Sequence, residues 1–190
     1  MKHSFSQICV SLAAAALALT SCFSPSKPKT SYLLTPRASD EAAPYLRVGD
    51  SFHGSGTFTM PRYVDGSTMS VRVNGNQVIS LAGAHWATPI GEMIRSTLAQ
   101  NLALLAGESS HGQPVAKASQ FHFTRFDGED AKRFVVQGTC LLTKGTVSRT
   151  VFFKYTLPWN GSAATLVECS DEALLAIARQ LVQETKNLDK

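Results

Sequence analysis

Past the first twenty residues the histidines are His53, His85, His111 and His122, and no two stand at metal-ligand spacing or share a pattern with a cysteine. No metal centre is expected from them. Asp127, Glu129 and Asp130 crowd around Gly128, but a calcium loop needs more oxygen ligands at defined positions, so this stretch reads as a solvated turn between two strands. His53 to Gly56 spells His-Gly-Ser-Gly, a sequence suited to an oxyanion loop, yet no Gly-x-Ser-x-Gly nucleophile elbow accompanies it. A phosphate-cradling Gly-x-x-x-x-Gly-Lys-Ser/Thr loop is missing from the sequence too. No residue is assigned a catalytic role, and nucleotide hydrolysis in any pathway that uses this chain falls to another subunit.

The one position with a chemical signature is Cys22. Lys2 and His3 precede an apolar run from Ile8 to Leu19, followed by Thr20, Ser21 and Cys22. The run covers about a dozen residues, and a helix needs roughly 20 to cross the hydrocarbon core. Basic, then apolar, then small residues is the order of a secretory leader, here 1–21. Leu19-Thr20-Ser21-Cys22 resembles the lipobox of bacterial lipoproteins. That resemblance implies cleavage between Ser21 and Cys22, with acyl chains on Cys22 as the only attached group and no other cofactor. An ordinary leader cut near Ser21 is the plainer alternative. Each buried methylene contributes about 0.8 kcal/mol and a single chain holds only marginally, so two or three chains anchor the protein without a span. Phe23 stands where an aspartate would favour inner-membrane retention, which points to a periplasm-facing place at the outer membrane. The segment 22–31, rich in Pro, Ser and Lys, cannot bury enough surface to order itself and reads as a tether.

Beyond the leader, roughly 170 residues suffice for one domain with a real core, assigned to 32–190. The apolar share of 44% and charged share of 17% are those of a globular chain. A net charge of +4 is spread without a basic run, so nucleic acid is not an expected partner. Cys140 and Cys169 remain after the leader and Cys22 are set aside. An oxidising compartment allows them to pair, closing a loop of about 30 residues for roughly 3–4 kcal/mol; two separate buried thiols are the alternative.

The elements that position these residues can be traced by period. Tyr32–Leu34 and the stretch from Tyr45 suit short strands. Met69, Val71 and Val73 alternate with polar residues, Asn74-Gly75 follows, and Val78, Ile79 and Leu81 resume, the pattern of a hairpin whose turn tolerates positive φ. Thr88, Pro89 and Glu92 open a helix whose stripe is Ile90, Met93, Ile94, Leu98, Leu102 and Leu105, with Gly107 as its stop. Trp86, just before, is either an exposed platform or a staple packed at the helix entry. Period two returns in three strands separated by Asp127-Gly128 and Lys144-Gly145. Ser170 or Asp171 is expected to cap a last helix with Leu174, Ile177, Ala178, Leu181 and Val182 on one side. The sum is an α+β fold, an antiparallel or mixed sheet with two amphipathic helices packed on one face.

Four segments in this order, "SYLLTP", "MPRYVDGSTMSVRVNGNQV", "HWATPIGEMIRSTLAQNL" and "FTRFDGE", together with the ending "LVECSDEALLAIARQL", resemble the ABC-type transport auxiliary lipoprotein family from Tyr32 to about Leu181. The resemblance implies a non-enzymatic accessory that works with a mammalian-cell-entry (MCE) type periplasmic protein, an inner-membrane permease and its ATPase to move lipids or other hydrophobic molecules. It also implies a homo-oligomer held to a membrane by its acyl chains. Asn74, Gly75 and Trp86 are then candidate interface residues, because a hairpin and exposed sheet edges can pair with another chain. A structural envelope lipoprotein and a lipid-binding module acting without a transporter are the alternatives.

Overall fold

A computed structural model describes residues 29–38, 46–48, 58–106 and 116–188. The strands are β1 (Thr30–Tyr32), β2 (Leu46–Val48), β3 (Thr68–Val73), β4 (Gln77–Trp86), β5 (Ala116–Glu129), β6 (Arg133–Lys144) and β7 (Val147–Pro158); the helices are α1 (Ile90–Ala106) and α2 (Ala163–Asn187). In the sheet the order is β1-β4-β3-β5-β6-β7, with β2 beside the first residues of β5. It is mixed. The pairs β1/β4, β2/β5 and β3/β5 run parallel, while β3/β4, β5/β6 and β6/β7 are antiparallel.

Both helices cover one face. Every residue of the expected α1 stripe is buried, from Ile90 to Leu105, as are Leu174, Ile177, Ala178 and Leu181 of α2. Period two supplies the facing layer: Phe134, Val136, Cys140 and Leu142 on β6 meet Val151 and Phe153 on β7. Aromatic rings fill the middle, with Phe126 edge-on to Phe134 at 5.1 Å and Phe123 against Phe153 at 5.2 Å. Val147 does not join them, being 50% exposed at the end of its strand.

Three sequence expectations are corrected. Asp127-Gly128 is not a turn: β5 runs through it to Glu129 and the chain reverses at Asp130 and Ala131, both with positive φ. Packing requires this, since a Cβ on Gly128 would lie 2.5 Å from Cζ3 of Trp159, whose ring rests on the glycine. The last helix begins at Ala163 rather than near Ser170; Ser162 is its cap, accepting a hydrogen bond from Thr165 N at 3.2 Å. Ser170 instead donates to the Leu166 carbonyl and is buried. Finally, β1 opens at Thr30, inside the stretch read as tether.

The hairpin has the expected place. Val73 pairs with Gln77, leaving Asn74, Gly75 and Asn76 as the connection, and Asn74 and Gly75 take φ of 51° and 77°. Asparagine and glycine tolerate that region with least strain.

Candidate interaction surface

On the sheet face away from the helices, side chains of β3 and β5 gather a charged cluster. Arg72 Nε and Arg125 Nε donate to the two oxygens of Asp127, each at 3.0 Å. Arg125 Nη2 reaches Glu129 Oε2 at 3.0 Å, and Arg133 Nη2 reaches Glu129 Oε1 at 3.1 Å. Arg72 Nη2 also donates to Tyr63 Oη at 2.9 Å, with the guanidinium 5.2 Å from the ring centre. The Asp127 side chain has no exposure at all. A carboxylate so placed is tolerable only when its lone pairs are taken, and guanidinium groups take them. Of the three acidic residues that read as a solvated turn, Asp127 and Glu129 are therefore bound by arginines, while Asp130 sits exposed in the turn itself.

The charges reinforce one another. Hydrogen bonding to Asp127 raises the Arg72 guanidinium above its ordinary value despite partial burial. Arg133 first, then Arg125, hold the Glu129 carboxyl below its ordinary range by hydrogen bonding. Burial and the adjacent Asp127 charge push the Tyr63 phenol up.

This cluster fixes the hairpin. Val71 and Arg72 pair with Gly128 and Glu129, Asp130 N donates to the Arg72 carbonyl at 2.9 Å, and Asn74 N donates to Asp130 Oδ1 at 2.7 Å. The inner strand β3 is thereby tied to β5, while Asn74 and Gly75 at the tip stay exposed. On the outer strand β4, Val78 and Ile79 are 42% and 49% exposed. Trp86 is no part of this surface. At 4% exposure it is packed in the core at the entry to α1, which corrects its assignment as an interface residue.

Both helices clamp the segment that follows β1. Asp171 accepts from Thr35 N at 2.9 Å and from Thr35 Oγ1 at 3.0 Å, and Asn101 Oδ1 accepts from Arg37 N at 2.9 Å and Ala38 N at 3.1 Å. Burial pushes the Asp171 carboxyl up, against the lowering effect of its Thr35 hydrogen bonds.

The remaining sequence candidates disperse. Cys140 and Cys169 are both free and buried. They are not paired with each other, and each thiol has its own neighbour: Cys140 Sγ approaches the Ser119 carbonyl at 3.5 Å and Cys169 Sγ the Pro158 carbonyl at 3.3 Å. Burial pushes the Cys140 thiol up to about 12. His122 bonds to Thr59 Oγ1 at 2.5 Å beside an open cleft of about 330 Å³ lined by Gln120, Thr139, Leu141 and Thr150. Ser21, Cys22, His53 to Gly56, Gly107 and His111 lie outside the described residues. Among the described residues no group of three or more His, Cys, Asp or Glu is arranged to hold a metal ion.

A family model described as ABC-type transport auxiliary lipoprotein component matches residues 32–182. The chain belongs to that family. Among solved structures, the crystal structure of an uncharacterized protein is similar at 18% identity and a TM-score of 0.62, covering 84% of this chain and 99% of its own. The crystal structure of protein XCC0632 from Xanthomonas campestris is similar at 16% identity and a TM-score of 0.55, covering 85% of this chain and 100% of its own. These two likenesses establish a shared fold. No curated protein matches the sequence.

In this auxiliary lipoprotein component the segments that carried the resemblance meet one another. Arg72 of one, itself bonded to Tyr63 of the same segment, binds Asp127 of another, and Thr35 of "SYLLTP" is held by Asp171 of the last. Sequence reading missed Arg72, Arg125, Arg133, Asn101 and Asp171 as organising residues. A signal existed: Arg125, Asp127 and Glu129 sit inside a period-two strand pattern where solvated charges alone would have no reason to cluster.

Proposed function

We propose that this protein is a lipid-anchored, non-enzymatic accessory subunit of an ABC transport system. It works with an MCE-type periplasmic protein, a permease and an ATPase to move lipids or other hydrophobic molecules across the periplasm and so supports envelope integrity. The family match over residues 32–182 carries this reading. Two further features favour it. The sequence from Leu19 to Cys22 supplies an anchor. Between helices and sheet the space is occupied by the aromatic and aliphatic core, which suits a domain that binds partners over one that encloses cargo. The hairpin and the sheet edge beside it are the partner-facing surface, and the outer membrane is the assigned location.

The test is affinity capture of the full chain from native membranes, read by mass spectrometry for proteins and lipids, in parallel with palmitate labelling of parent and Cys22→Ala chains. Labelled Cys22 with permease, ATPase and MCE protein in the capture is the expected result. An unlabelled parent chain removes the anchor; a labelled chain captured without any transporter component favours a structural envelope role.

A further inference from the structure

We propose that the sheet face turned away from the helices carries a binding site for a neutral saccharide, in the open cleft of about 330 Å³ that spans β5, β6 and β7. Thr139 and Leu141 alternate with buried Cys140 and Leu142, and Thr150 precedes buried Val151, so these three lining residues point away from the core. A bulge in β5 opens the cleft beside them. Ser119 stands opposite Leu141 and His122 opposite Thr139, so Gln120 and Phe121 together face Cys140. Gln120 takes φ of 51° there, uncommon for any residue but glycine. Bulges bend a strand and re-aim a side chain, and a residue kept in such a conformation is held by its surroundings. Here the holding contacts come from Thr59, whose N–H donates to the Phe121 carbonyl and whose carbonyl accepts from Phe123 N, both at 2.9 Å. Thr59 thereby lies beside His122, and its Oγ1 occupies Nδ1 of the imidazole. Nε2 is left as the ring nitrogen open to a ligand.

The lining selects the class of ligand. Gln120, Thr139 and Thr150 make no side-chain hydrogen bond among the described residues. Nearby hydroxyls are spoken for: Ser119 donates to the Leu141 carbonyl, Thr124 to the Gln137 carbonyl, and Thr143 bonds to Ser148. No Lys, Arg, Asp or Glu lines the cleft, so an anion or a cation finds no counter-charge. An acyl chain would strip water from these polar groups and return no hydrogen bond. A peptide cannot enter by strand addition, because β6 is already paired on both sides. An uncharged molecule dense in hydroxyls meets every condition, since the glutamine amide and the threonine hydroxyls both donate and accept. Leu141 supplies apolar contact for the C–H face of a sugar ring. Phe152, which pairs with Thr139 on this face and is 54% exposed, extends it with the electron-rich face of an aromatic ring. The volume lies at the low end of the range for small-molecule sites, about 300–1,000 Å³, which suits a mono- or disaccharide.

This site rests on the cleft and not on the transport role. The test uses the full mature chain with Cys22→Ser as background, isotope-labelled and titrated to millimolar concentration with lactose, maltose, cellobiose and N,N′-diacetylchitobiose. NMR follows the Gln120 side-chain amide and the His122 ring, and at least one disaccharide is expected to shift both saturably. Thr139→Val and Thr150→Val keep shape and delete one hydroxyl, and each should weaken that binding about three- to tenfold. Thr156→Val, on the same face of β7 but outside the cleft, should leave it unchanged. Gln120→Gly separates binding from folding. Glycine takes φ of 51° without strain, so this chain should be about as stable in urea as its parent and bind the sugar about threefold more weakly or worse. Failure of all four disaccharides to shift either residue overturns the proposal. So does a response to inorganic phosphate, octanol or adenosine with none to the sugars, or a Gln120→Gly or Thr139→Val chain that binds as tightly as its parent.

Discussion

Replacing Asp127 by alanine takes one carboxylate away from two guanidinium groups and leaves them facing each other. Its side chain is wholly buried, and each oxygen accepts an arginine Nε at 3.0 Å. Breaking a buried pair by deleting one partner costs about 3–5 kcal/mol, since the remaining charge is left dry. Two features place this case at the lower end. Solvent reaches 21% of the Arg72 side chain and 25% of Arg125, and each keeps another acceptor, Tyr63 Oη for Arg72 and Glu129 Oε2 for Arg125. The expected loss is about 3 kcal/mol for Asp127→Ala and about 1.5 kcal/mol for Asp127→Asn, which keeps shape and an acceptor. In a domain of this size the former lowers Tm by about 6–12 °C. Urea unfolding of parent and variants measures the loss, and amide exchange from Asn74 to Gly83 reports the hairpin, whose exchange should quicken. Arg149→Ala is the control: its bond to Glu184 at 3.1 Å joins side chains 51% and 28% exposed, and removing it costs below about 1 kcal/mol. An Asp127→Ala chain no less stable than Arg149→Ala, or one whose hairpin amides exchange at the parent rate, would refute the reasoning.

Gly128→Ala drives a methyl to 2.5 Å from the Trp159 ring and should destabilise by about 1–3 kcal/mol or more. Combining it with Trp159→Leu should recover part of that loss in a double-mutant cycle, and strict additivity would contradict the stated contact. Acid titration should separate two carboxyls of opposite sign. Glu129 sits below its ordinary value of 4.5, so its contribution is fully present above that pH and is lost as pH falls through the lowered folded value. Glu129→Gln is therefore expected to weaken the fold at pH 7 and to converge with the parent in acid. Asp171 is raised above its ordinary 3.8, so its contribution is fully present below that pH and is lost as pH rises through the folded value. Urea midpoints across pH should show Asp171→Asn losing less at pH 7 than Glu129→Gln; the reverse order would contradict both assignments.

Local pattern made the elements legible and left the cross-links between them obscure. Asn74-Gly75 announced the hairpin because few residues accept positive φ, and the α1 stripe followed from helical spacing alone. Lys144-Gly145 marked the β6–β7 reversal correctly, with Gly145 at φ 61°. Asp127-Gly128 misled because the same dipeptide serves a turn or a close approach, and only Trp159, some thirty residues later, decides between them. Ser170 and Asp171 misled similarly: their side chains suit a cap, but in mid-helix one bonds back to Leu166 and the other reaches Thr35. Parallel pairing of β3 with β5 was likewise hidden, since turn signals report only neighbours in sequence. Turn chemistry placed Asn74 and Gly75 at the exposed hairpin tip, whereas Trp86 read equally as platform or staple, and burial at the entry to α1 makes it the staple.

The clamp on Thr35, Arg37 and Ala38 has a mechanical consequence. β1 runs parallel to β4 over three residues, so a pull on the amino-terminal side along the strand loads its hydrogen bonds side by side in shear instead of unzipping them singly. Whatever force passes that short strand arrives at side chains of both helices, Asn101 and Asp171, rather than at the sheet. Tension entering at Lys29 is thus divided between β4, through the β1 ladder, and the helix layer, through Asn101 and Asp171.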